Sequence, residues 1–134
     1  NKVNGGLRRA IRLMKSLMYD NSLNISSYDI SGIAYNIPDG ELSYGPPFEL
    51  RIISSCIDYC QALETNSFLR NSIKVPNGTR FVFESKGGAT FQELQNLLKE
   101  LFALEKEILN ENVSSFTKIS NAKIEYKLLE NSIL

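Results

Sequence analysis

Apolar side chains recur in this chain at the spacing of one helix face, three separate times, and that repetition dictates most of what it can fold into. Leu7, Ile11, Met14 and Met18 form the first set, widened by Ala10, Leu13 and Leu17. Leu50, Ile53, Ile57, Cys60 and Leu63 form the second. Leu94, Leu97, Leu98, Leu101, Phe102, Leu104 and Ile108 form the third. Residues three and four apart lie on one side of an α-helix, so each set gives a helix with an apolar face that another element must cover. The chain is therefore predicted to be mainly α, a compact helical bundle forming a single domain over residues 1–134.

The punctuation between these sets refines the picture. Gly5-Gly6 marks a loop before a helix over Leu7–Tyr19, and Asp20–Asn24 is a polar turn. Ser26 or Ser27 can cap a second, shorter helix, with Asp29 favourably placed in its first turn. Ile30, Ile33, Ala34 and Ile37 supply its buried side, and Pro38-Asp39-Gly40 ends it by turn chemistry. Pro46-Pro47 opens the third helix, which runs to about Glu64, and Asn66–Ser72 reads as a turn or a short helical piece. Val75, Phe81, Val82 and Phe83 favour extended backbone around the turn signal Pro76-Asn77-Gly78, predicting a short β-hairpin or extended segment near 74–84. Lys86-Gly87-Gly88 is a loop. Thr90-Phe91-Gln92-Glu93 fits a capping box for the long helix that ends near Asn110. The tail Val113–Leu134 reads both ways: Phe116, Ile119, Tyr126 and Leu129 allow a helix, whereas Ile124, Tyr126 and Leu128 alternate like a strand. The helix is the preferred reading.

Composition excludes several function classes. No apolar run approaches the ~18 residues of a membrane span, and the start lacks the apolar core of a signal peptide. The net charge is zero, which argues against nucleic acid as a primary ligand. Charge is uneven, however: Lys2, Arg8, Arg9, Arg12 and Lys15 all precede the first acid, Asp20. A local positive patch on a neutral protein fits a small anionic ligand better than a long polyanion. Cys56 and Cys60 stand four apart on a helix, a spacing that strains a bridge. The chain has no histidine, so the two thiols do not suggest zinc. They read as core thiols of a cytoplasmic protein. Without histidine, imidazole-based triads are excluded, and neither a GxxxxGK[ST] loop nor an Asp-x-Asp magnesium pair occurs. Alone, the chain has no evident means of catalysis.

What it does have is a set of binding parts. Arg8, Arg12, Lys15 and Tyr19 line one face of the first helix, and Ser27-Tyr28 opens the second. Cations meet phosphates, a helix start with a serine adds donors for anionic oxygens, and a ring offers a stacking face for a base. Taken singly, each has an ordinary reading: a solvated charged face, a helix cap and a packing tyrosine. Pro76-Asn77-Gly78-Thr79-Arg80 reads as a plain hairpin turn, with the alternative that it carries Asn77 and Arg80 towards the same place.

The pattern Leu7, Ile11, Leu13, Lys15, Leu17, followed after a polar loop by Ser27-Tyr28 and then by FELRIISSCIDYCQAL, resembles the helical C-terminal half of DNA polymerase β-like nucleotidyltransferases. The closest comparison is the group of cyclic GMP-AMP synthase, oligoadenylate synthases and bacterial CD-NTases. By that resemblance Lys15 would contact the triphosphate of a donor nucleotide, Ser27 would bond a phosphate oxygen, and Tyr28 would stack on the base. Arg12 and Arg8 would add field. The substrate would be a nucleoside triphosphate, and Mg²⁺ would serve the complete enzyme. The family's catalytic half has a Gly-Ser loop and acidic magnesium ligands; neither occurs here, so the resemblance implies a catalytic lobe that is absent or lies upstream of Asn1. The rival reading is a non-catalytic helical interaction or regulatory module, with the long helix from Thr90 docking on another chain.

Overall fold

The first helix, α1 (Gly6–Asp20), starts against the chain's own backbone. A side chain on Gly6 would collide with the Leu42 carbonyl, and Gly5 before it takes φ 82°, in the left-handed region. The computed structural model describes residues 5–43 and 49–110. α1 buries Ala10, Met14, Leu17 and Met18 of the predicted apolar face, and Leu7, Ile11 and Leu13 are half-buried. Its end is a Schellman motif: the Leu23 amide donates to Met18 O (3.0 Å) and the Ser22 amide to Tyr19 O (3.4 Å). The left-handed position, usually glycine, is held here by Ser22 at φ 52°.

α2 (Ser27–Tyr35) follows directly and buries Ile30, Ile33 and Ala34, with Ile37 buried just beyond it. A single 3-10 turn (Asp39–Glu41) succeeds Pro38. α3 (Glu49–Thr65) buries Ile52, Ile53, Cys56, Ile57, Cys60 and Leu63. The expected start at Pro46-Pro47 lies outside the described residues. α4 (Ser67–Ser72) settles the Asn66–Ser72 piece as a short helix, capped by Asn66, whose side chain accepts from the Leu69 amide at 3.0 Å. α5, over 91–110, buries Leu94, Leu97, Leu98 and Leu101. α1 packs on both α2 and α3, and α4 folds back on α3. Each fully buried leucine or isoleucine contributes on the order of 2 kcal/mol. The bundle is mainly helical, as the periodicity requires.

The chain divides into two units, Asn1–Phe102 and Ala103–Leu134. Over its described residues, 103–110, the second is helical. The readings offered for the tail from Val113 lie outside the described residues.

Between α4 and α5 the expected extended segment is a narrow hairpin rather than a pair of strands. Among the described residues its only ladder contact is the antiparallel bridge between Lys74 and Phe81. It is framed by Val82 N–H to Ile73 O (3.0 Å) and Val75 N–H to Arg80 O (3.1 Å). Gly78, at φ 72°, closes the turn. This hairpin lies along α2. A Cβ on Gly32 would stand 2.7 Å from Val82 Cγ2 and 3.2 Å from Val75 Cα, so glycine permits the close approach. Near the end of α2, Asn36 Nδ2 donates to Lys74 O at 2.8 Å.

Candidate functional site

The start of α2 is where sequence, packing and chemistry converge. Ser26, in extended conformation, is the cap: its Oγ accepts from the Asp29 amide at 3.0 Å and donates to Asp29 Oδ2 at 2.8 Å. Ser27, the other candidate cap, is thereby released. Among the described residues nothing bonds its hydroxyl, and the amides of Ser27 and Tyr28 also take no partner. An unpaired hydroxyl and two unpaired amides at the positive end of a helix dipole form a donor set for an anion. Tyr28 stands beside them, a residue 41% exposed, so its ring is open to a ligand.

Asp29 has a different fate. It is 2% exposed, and its Oδ1 makes no hydrogen bond. That oxygen instead meets Arg80 Nη2 at 2.7 Å in an ion pair. A buried carboxylate without a partner is costly, so the arginine is what makes its burial tolerable. Arg80 also donates from Nη1 to Phe81 O at 3.0 Å, and its guanidinium carbon lies 5.7 Å from the centroid of the Tyr28 ring. The hairpin is thus more than a plain turn: docking on Gly32 delivers Arg80 to the first turn of α2. Asn77 does not follow it. Its Oδ1 accepts from the Thr79 amide at 3.1 Å and from Thr79 Oγ1 at 2.7 Å, holding it within the turn.

The cations of α1 are placed separately. Lys15 is half-buried, whereas Arg8 and Arg12 are exposed. Among the described residues none of the three has an ion-pair partner, and no hydrogen bond or ring contact links them to Ser27 or Tyr28. What relates them is that α1 packs against α2. Sequence reasoning gave Asp29 only a helix-dipole role and missed its pairing with Arg80. The one local signal was an acid at the third helical position after a serine, which any capping box shares.

Other parts of the molecule offer less. An open depression of about 410 Å³ is lined by Asn71, Phe81, Phe83, Glu84, Ser85 and Lys86, and none of the predicted site residues borders it. Both cysteines are free and buried. Burial pushes the Cys56 thiol up to about 12 and raises Cys60 as well, with the neighbouring Cys56 adding to the latter. Both stay protonated at neutral pH and serve as core packing. No group of three or more Asp, Glu, His or Cys residues suited to a metal exists among the described residues, and none of their helices is long and apolar enough to cross a membrane.

Known proteins share much of this sequence. Residues 1–106 match the model of the cGAS/DncV-like nucleotidyltransferase C-terminal helical domain. A cyclic dinucleotide synthase of Yersinia aleksiciae is 29% identical over 116 residues, covering 83% of this chain and 30% of that protein. A c-di-GMP synthase of Capnocytophaga granulosa is 27% identical over 114 residues, covering 84% of this chain and 30% of its own. The chain thus spans about a third of the length of the curated relatives it matches. No solved structure matches.

Proposed function

The chain belongs to the family of cGAS/DncV-like nucleotidyltransferase C-terminal helical domains, and from that premise we propose that its α1–α2 face is the wall of an active-site cleft that binds a donor nucleoside triphosphate. Lys15 is the point charge for the triphosphate, with Arg12 and Arg8 raising the local potential. The Ser27 hydroxyl and the free amides of the first turn of α2 bond phosphate oxygens, and the Tyr28 ring stacks on the base. The observation that carries this reading is the unpartnered Ser27 hydroxyl beside the exposed Tyr28 ring, at a helix start whose own cap is made by Ser26.

The reaction belongs to the complete enzyme. A hydroxyl of the acceptor attacks the α-phosphorus of the bound nucleotide and pyrophosphate leaves. The names of the two relatives point to a second nucleotide as acceptor. Mg²⁺ would neutralise charge on the triphosphate. The family resemblance implies that its carboxylate ligands would come from a catalytic lobe. The work of this domain is to bind and orient: fixing the triphosphate between Lys15 and the start of α2 aligns the α-phosphorus for attack.

Titrating the full-length protein with ATP and with GTP tests the assignment. Lys15→Ala and Ser27→Ala are each expected to weaken binding of the accepted nucleotide by about tenfold, the scale of one charge-assisted phosphate contact. Unchanged affinity in both variants would remove the site from this face.

A further inference from the structure

We infer that Arg80 is a positioning residue for the nucleotide base, holding the Tyr28 ring from one face so that the other face is presented for stacking. The inference rests on the nucleotide-site reading above and extends it to the hairpin. Three observations support it. Asp29 is buried, and among the described residues the ion-pair partner of its Oδ1 is Arg80, at 2.7 Å, so the guanidinium is fixed at that end. The Phe81 carbonyl, at 3.0 Å from Nη1, fixes its other side. So anchored, the planar group lies 5.7 Å from the centroid of the Tyr28 ring, within the range of a cation–π contact.

The consequence for binding is conformational. A half-exposed tyrosine on the first turn of a helix has several rotamers open to it, and stacking on a base requires one. A cation held against one face favours the rotamer that keeps the ring there and leaves a single face for the ligand. The anchors come from the hairpin, and its seat on α2 is set by Gly32 and by the Asn36–Lys74 bond. Base recognition is thereby coupled to a segment far from Tyr28 in the sequence. Asp29 fits the same scheme. It sits beside the ligand-binding donors but turns its charge away from them, into Arg80, so it does not repel a phosphate with a free carboxylate.

The test is a double-mutant cycle on the full-length protein, read as KM for ATP and for GTP and as kcat. Arg80→Met alone would leave Asp29 buried and unpaired, so the paired variant Asp29→Asn with Arg80→Met removes both charges together. Arg80→Lys keeps the charge and loses the planar group. Both are expected to raise KM for the accepted nucleotide about threefold to tenfold with little change in kcat. Neither should raise it in a Tyr28→Leu background, where no ring remains to be held. If Arg80 is merely structural, the same loss persists in the Tyr28→Leu background, and the inference falls while the nucleotide site stands. If Tyr28→Leu alone leaves KM unchanged, the site reading itself falls.

Discussion

Two helix starts in this molecule are built to nearly the same local plan and end differently. α5 opens with Thr90, Phe91 and Glu93; α2 opens with Ser26, Tyr28 and Asp29. In each a hydroxyl accepts from the amide three residues on, and in each an arginine lies over the aromatic ring: Arg70 at 4.6 Å from Phe91, Arg80 at 5.7 Å from Tyr28. At α5 the acid closes the box, with Glu93 Oε1 accepting from the Thr90 amide at 2.9 Å. Arg70 there also serves the end of α3, donating to Leu63 O and Glu64 O. The α5 capping box closes on itself. At α2 the acid is buried and turns to a distant arginine, and a second serine keeps its hydroxyl open, while among the described residues the first two helical amides take no partner at either start. One sequence device thus serves as a closed cap in one place and, in the other, as the start of the helix we propose to bind the nucleotide. What separates them is the hairpin docked on α2.

The largest difference should appear in stability. Arg80→Met leaves a buried carboxylate uncompensated and is expected to cost about 3 kcal/mol in urea unfolding of the full-length protein. Arg70→Met removes bonds to helix-end carbonyls near solvent and should cost about 1 kcal/mol. Equal losses would mean that the Asp29 pair is no more than another surface contact. The caps themselves should be matched in stability and split in function. Ser26→Ala and Thr90→Ala are each expected to cost about 1 kcal/mol, but only Ser26→Ala, which also frees Asp29 Oδ2, should weaken nucleotide binding. The smallest effect concerns a third local motif, the end of α1. Ser22→Gly relieves the left-handed strain and should stabilise by about 0.5 kcal/mol, read as a rise in Tm, with no change in nucleotide affinity.

Features written within a few residues were legible in the sequence. The apolar periodicity located the buried faces of α1, α2, α3 and α5, and the Thr90 capping box formed as expected, because its partners are three residues apart. The choice between Ser26 and Ser27 as the cap was not legible, since both have the same chemistry. It was decided by which hydroxyl reaches the Asp29 amide, and it determines which serine is free. The role of Arg80 was hidden for a different reason. Its partners belong to a helix far back in the chain, and the approach depends on a glycine, Gly32, whose lack of a side chain leaves no pattern in apolar spacing. The extended segment near 74–84 was placed correctly, and its ladder is a single bridge between Lys74 and Phe81.

The most direct measurement compares the two rings. ATP and GTP are titrated into full-length protein carrying Tyr28→Ala or Phe91→Ala. If the start of α2 is the nucleotide wall and the start of α5 is only a cap, Tyr28→Ala weakens binding of the accepted nucleotide by about 5- to 150-fold, the equivalent of about 1–3 kcal/mol of stacking, and Phe91→Ala leaves it unchanged. Equal affinities in the two variants would contradict the account.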